Sequence, residues 1–290
     1  MSTSTVNIAP SKTLARPPLP WKLWLRQTRA IFMLEVQKNF FGRRSILLYL
    51  LALLPIMPLL LLAPFTPPGD EWREFNRYNM IYAIFYGGLI LRTVVFFGCA
   101  WIFMNLFRGD IIDRSLHFYF LSPVRREVIV VGKYLAGLVT SVVLFGITTI
   151  VAMLLVYLPH FYSESVRFFL DGPGMGQLLT YTTVTALACI GYGAFFLVVG
   201  LFFRNPIIPA VLLYGWEWLN FLMPPLLKKI SVIHYLQSLV PVPVSEGSFA
   251  VVAEPTPAWI AIPSLIIVTA LVLALASYRI RRMEIRYGSD

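Results

Sequence analysis

The chain has 290 residues, of which 58% are hydrophobic and only 13% charged, with a mean hydropathy of +0.74. A soluble domain is about 45–50% apolar and about 25% charged, so this chain is too apolar to cover its own surface in water, and lipid is the expected solvent. The net charge of +10 would suggest nucleic acid in a soluble protein. Here the positive residues flank apolar runs, so membrane topology accounts for them and no nucleic-acid partner is expected.

Residues 1–20, rich in Ser, Thr and Pro, have nothing to bury and are expected to form a flexible tail. Residues 21–44 read as an amphipathic helix. At 100° per residue Trp21, Trp24, Leu25, Thr28, Ile31 and Phe32 share one side, and Lys22, Arg26 and Arg29 form an adjacent basic stripe. A basic helix with tryptophans on its apolar side, placed just before a membrane span, is expected to lie in the interface plane.

A transmembrane helix needs about 20 predominantly apolar residues. Six segments qualify, over about 46–65, 81–107, 134–158, 178–203, 207–226 and 259–278. The fold class expected is therefore all-α: a polytopic membrane protein of about six spans, with 45–290 as one transmembrane domain. Pro55, Pro58 and Pro64 predict a kink in the first span. The first apolar run follows some forty polar and amphipathic residues, so it is expected to be an uncleaved anchor.

With both termini placed in the cytoplasm, 18 Lys and Arg lie inside and five outside (Arg73, Arg77, Arg167, Lys228 and Lys229), while Arg92 falls within a span. That asymmetry sets the expected orientation. The third span carries Gly137, Ser141, Thr148 and Ala152 on one face, and the fourth carries Ala186, Cys189, Gly193 and Gly200. Small faces let helix backbones approach closely in lipid.

Catalytic constellations are lacking, and no catalytic or metal residues are assigned. Cys99 and Cys189 sit singly in apolar runs, and His117, His160 and His234 are far apart. Gly132-Lys133 lacks the upstream Gly and the following Ser/Thr of a phosphate loop. Two charges fall at membrane depth, Arg92 and Glu217. Each lies about 15 Å from its end of a core about 30 Å thick, so they are expected to contact each other or to share a polar cavity.

The inner loop between the second and third spans is longer than a plain connection requires. Its center, Ile111 to Phe120, interleaves Asp113 and Arg114 with apolar and aromatic residues, and Asp110 immediately precedes it. Phe118, Tyr119 and Phe120 suggest docking, for which a protein partner and a lipid surface both fit. The run DRSL at 113–116, SPVRR at 122–126 and GKYL at 132–135 is similar to the membrane subunits of type-2 ABC exporters. An interfacial helix ending in Gly42-Arg43-Arg44 and a Pro-rich stretch over 224–258 resemble the same family. The family commonly has Glu-Gly-Thr-Leu where this chain has Asp113-Arg114-Ser115-Leu116.

The resemblance implies a permease subunit, half of a homodimer or pseudo-dimer, in the bacterial inner membrane with both termini cytoplasmic. It implies that ATP and Mg sit on separate ABC ATPase subunits, with no cofactor on this chain. Asp110, Asp113, Arg114, Leu116, Phe118, Tyr119 and Phe120 would form the coupling helix that docks on the ATPase, and residues 229–240 a short re-entrant helix. An ion- or proton-coupled secondary transporter is the alternative; it predicts inverted repeats, which the sequence does not display.

Overall fold

A computed structural model describes residues 21–43, 45–62, 79–112, 119, 121, 124–157, 167, 169–244 and 254–282. The expected tail over 1–20 lies outside the described residues, as do Asp113, Arg114, Leu116, Phe118 and Phe120 of the expected coupling helix. Among the described residues the regular structure is entirely helical.

Helix α1 (Trp21–Phe41) is followed by α2 (Ser45–Leu53) and α3 (Ile56–Leu62). The chain turns at Gly42, whose N–H donates to the Lys38 carbonyl at 2.9 Å. A Cβ there would stand 2.3 Å from that carbonyl oxygen, closer than any side chain tolerates. Ser45 then starts α2, its hydroxyl and N–H both donating to the Gly42 carbonyl. The axis of Ser45–Leu61 runs at 62° to α1. The expected first span is broken at Leu54-Pro55, because a proline supplies no N–H to continue the ladder.

Among the described residues four helices are long and apolar enough to cross a membrane, or five if the bent pair of α1 and Ser45–Leu61 counts as one span: α4 (Asn79–Ile112), α5 (Arg126–Tyr157), α6 (Gly174–Phe202) and the C-terminal Ala258–Arg281. Between these lie α7 (Ile207–Trp218), α8 (Val232–Ser238) and a single turn at Pro225–Lys228, so the C-terminal helix is α9. The expected span over 207–226 is shorter than its apolar run. Pro206 precedes α7, the helix tightens to a 3-10 turn at Leu219–Leu222, and Pro224 follows. Its 16 residues from Ile207 to Leu222 reach about 24 Å, less than a hydrocarbon core of about 30 Å.

Helix α6 is the center of the bundle and packs on α4, α5, α8 and α9. Of its most apolar stretch 72% is buried, against 22% for α9, so α9 is the helix with most of its surface turned outward. The small faces of α5 and α6 form the packing surface. Phe103 of α4 is fully buried between Gly137 and Gly193, where an added Cβ would come within 2.8 and 2.5 Å of its ring. Close contact of this kind supplies the dispersion energy that holds helices together in lipid. Toward the opposite end, Tyr86 donates to the Tyr181 carbonyl at 3.0 Å, and Tyr157 donates to Asn79 Oδ1 at 2.6 Å. The buried hydroxyls of Thr149 and Thr185 lie 3.1 Å apart.

One stretch of α4 departs from α geometry: Tyr86–Val95 is a π-helix. It opens on Gly87-Gly88, beside which an added Cβ would meet only open space. Glycine weakens the α ladder and offers no side chain to hold it. The wider turn lets the Thr93 hydroxyl donate to the Gly88 carbonyl at 3.2 Å. Stretches of this type occur often at functional positions, and Arg92 lies within this one.

Several basic residues meet where the start of α5 and the ends of α6 and α9 approach α1. Arg126, at the start of α5, donates through Nη1 to the Ile280 and Arg281 carbonyls at the end of α9, at 2.9 Å each. Arg281 pairs with Glu127. The Arg279 guanidinium lies over the Phe202 ring at the end of α6, and that of Arg125 lies 4.5 Å from the Trp24 ring on α1. The end of α4, the start of α5 and the ends of α6 and α9 therefore meet α1 at a common end.

Candidate functional site

At that basic end the structure builds a buried charge network. Lys133, the lysine of GKYL, is fully buried on α5, and Glu35 on α1 and Asp110 on α4 are buried with it. The Lys133 ammonium donates to Glu35 Oε1, to Asp110 Oδ2 at 2.6 Å and to the Leu106 carbonyl at 2.9 Å. An ammonium has three donors, and all three are used. Lys38 reaches the other oxygen of Asp110 at 3.2 Å and lies 3.7 Å from Glu35. Two cations and two carboxylates balance, which is the condition for holding such groups out of water.

The local sequence explains why α1 can reach this site. Gly132 faces α1, and a Cβ added there would lie 3.0 Å from Ile31 Cγ2 and 3.3 Å from the Thr28 carbonyl oxygen. Glycine therefore lets the two helices close, and the next residue delivers the ammonium. On α1, Ile31 and Glu35 point inward while Lys22, Arg26 and Arg29 are exposed. Trp21 is exposed and packs edge-on against Trp24 at 5.0 Å between ring centroids.

Of the residues expected to form the coupling helix, two fall among those described. Asp110 is buried within the network and faces α1 and α5. Tyr119, from the segment between α4 and α5, covers the site. Its hydroxyl donates to Glu35 Oε1 at 3.3 Å, and the Lys133 ammonium lies 5.0 Å from its ring center. Burial, followed by the Glu35 and Asp110 carboxylates, pushes the Tyr119 hydroxyl well above the ordinary tyrosine value. The site therefore joins three helices to one residue of the segment between α4 and α5. Glu35, Lys38 and Lys133 were not among the expected functional residues. A signal was present: Lys133 lies four residues before Gly137 and eight before Ser141, on the face that packs inward.

The second charged locus lies within the bundle. Glu217 is buried near the end of α7 and accepts hydrogen bonds from Ser231 Oγ at 2.7 Å, Val232 N–H at 3.1 Å and Ile233 N–H at 2.9 Å. The Tyr192 hydroxyl adds a fourth at 3.3 Å. The carboxylate thus caps the first turn of α8, where the amides have no partner inside the helix. The partners that hold Glu217 are thus hydroxyls and backbone amides, while Arg92 lies within the π-helical stretch of α4.

Chemically the first site is a rigid clasp, with every donor of its central cation used and with three helices held in register. Comparison with known proteins gives no matching family model and no matching curated relative.

Proposed function

We propose that this chain is the permease subunit of an ATP-driven ABC exporter, forming the membrane pathway as a dimer and driven by separate ATPase subunits. The observation that carries the reading is the Lys133 network. It ties α1, the helix that enters the inner loop and the helix that leaves it to Tyr119 of that loop. A force applied to the loop by a docked ATPase would move these three helices as one body. That is the mechanical requirement for converting ATP hydrolysis on another chain into rearrangement of a membrane path.

The resemblance of 113–116, 122–126 and 132–135 to type-2 exporter permeases points the same way. In this reading the basic end faces the cytoplasm, following the distribution of Lys and Arg. Helix α1 lies along the inner surface of a bacterial inner membrane, and both chain ends are cytoplasmic. Helix α8 and the turn before it approach the outer surface as a re-entrant element.

The test separates docking from folding. Phe118→Ala with Phe120→Ala is expected to abolish co-purification of the ATPase subunit or to uncouple transport, because buried aromatics dominate such contacts. Membrane insertion and the folded yield are expected to stay unchanged. Purified alone, the chain is expected to hydrolyse no ATP. Normal transport and retained ATPase in the double variant would exclude the docking role, and robust hydrolysis by the isolated chain would exclude the division of labour.

A further inference from the structure

A cavity of about 270 Å³ lies beside the charge network, between the end of α1, the start of α2 and α4. Lys38, Asn39, Arg43, Ser45, Trp101 and Asn105 line it, with Glu35 and Asp110 behind them. We propose that it binds the phosphate group of an anionic phospholipid from the leaflet at the basic end. The inference needs only that the bundle spans a membrane, and it is independent of what the chain transports.

Charge comes first. The Glu35 and Asp110 carboxylates are covered by Lys133 from the α5 side. Lys38, its side chain half exposed, adds a second cation from the α1 side. That set of four is neutral, and Arg43, exposed at the rim, adds one positive charge. The cavity therefore presents an ammonium and a guanidinium at its mouth with no uncompensated carboxylate behind. A guanidinium fork fits phosphate oxygens in a bidentate manner, and basic pockets between membrane helices take anionic headgroups.

Size and surroundings select a lipid. Pockets that enclose whole ligands begin at about 300 Å³, so this one takes a headgroup and leaves the acyl chains outside. The adjoining chain suits those tails: Phe41, Ile46, Leu47 and Leu50, interleaved in sequence with the lining Gly42, Arg43, Ser45 and Leu48, are all exposed. Trp101 on the wall has the amphipathic ring that favors the headgroup level. Asn39 already donates to Thr140 Oγ1 at 3.5 Å and Asn105 to the Trp101 carbonyl at 2.7 Å, so both amides are held in place around the opening.

The full chain, delipidated in neutral detergent, is titrated with phosphatidylglycerol or phosphatidylcholine while bound lipid is counted by native mass spectrometry. Phosphatidylglycerol is expected to bind roughly tenfold more tightly, and Arg43→Gln is expected to remove most of that preference, each surface cation being worth about a factor of five. Lys22→Gln, which removes an exposed cation from the far end of the same helix, is expected to leave it intact. Equal losses in the two variants would mean diffuse attraction and would overturn the site. Arg43→Gln avoids the folding risk of Lys38, since Arg43 lies outside the ion-pair network. Displacement of the lipid by inorganic phosphate at millimolar concentration would assign the cavity to a soluble anion and overturn the lipid source. Equal affinity for both lipids would overturn the proposal outright.

Discussion

Lys133 is surrounded by groups that tolerate its charge only because it is there. Lys133→Met would leave Glu35 and Asp110 buried with a single half-exposed cation between them. Removing one partner of a buried pair costs about 3–5 kcal/mol, so this variant is expected to lose most of its folded yield in detergent. Adding Glu35→Gln and Asp110→Asn to it removes the stranded charges and is expected to recover much of the thermal stability. If the single and triple variants melt alike, the network is not buried as described.

Tyr119 gives a pH signature at the same site. Its hydroxyl is raised in the folded state, so the folded form holds that proton longer than the unfolded form. The contribution is fully present below the ordinary tyrosine value of about 10 and is lost as pH rises from there toward the higher folded value. Melting curves compared at about pH 8 and about pH 11 are expected to show a smaller alkaline loss in Tyr119→Phe than in the parent. Equal losses would place the hydroxyl in water.

At the scale of elements, α8 is a seven-residue helix that has little to hold it by itself. Glu217 supplies what is missing by accepting from Ser231 and from the first two amides of the helix. Glu217→Ala leaves those donors buried without an acceptor, at about 1–3 kcal/mol each. Faster amide exchange over residues 225–240 is the expected result, with α5 and α6 unaffected. Glu217→Gln keeps one acceptor oxygen and is expected to fall between. Unchanged exchange in Glu217→Ala would show that packing against α6 and α9 alone fixes α8.

The same scale shows why helix lengths differ from apolar runs. The run over 207–226 contains enough hydrophobic residues for a span, yet Pro206 and Pro224 bracket the helix and the 3-10 turn at Leu219–Leu222 draws it tighter. Hydropathy registers solvent preference, whereas the backbone ladder decides length. In α4 the ladder goes the other way, widening to a π-helix over Tyr86–Val95, which contains Gly87-Gly88, without interrupting the helix.

For the whole molecule, the test is sidedness. Helix α6 has 29 residues and is about 43 Å long, so Asp171 before it and Arg204 after it lie beyond opposite faces of a core about 30 Å thick. Single cysteines at these two positions are expected to react with an impermeant maleimide from opposite sides, Asp171→Cys from outside and Arg204→Cys only after the membrane is opened. The background is low because Cys99 and Cys189 are both buried. Labelling of both from one side would contradict α6 as a span.

The all-helical membrane architecture, the helix at 21–41 and the inward small faces of α5 and α6 follow from local pattern, because solvent preference and period act over a few residues; a short helix within 229–240 was expected only from the family resemblance. Tertiary structure alone decided what the charges do. Lys133 meets Glu35 from 98 residues away and Asp110 from 23, and Glu217 is capped with backbone amides that no count of opposite charges reveals. A charged group taken out of water must find its counter-charge or donor in space. Sequence displays the unmet need of Glu217, but that of Lys133, just before the expected third span, and the distant groups that answer both are set only when the helices pack.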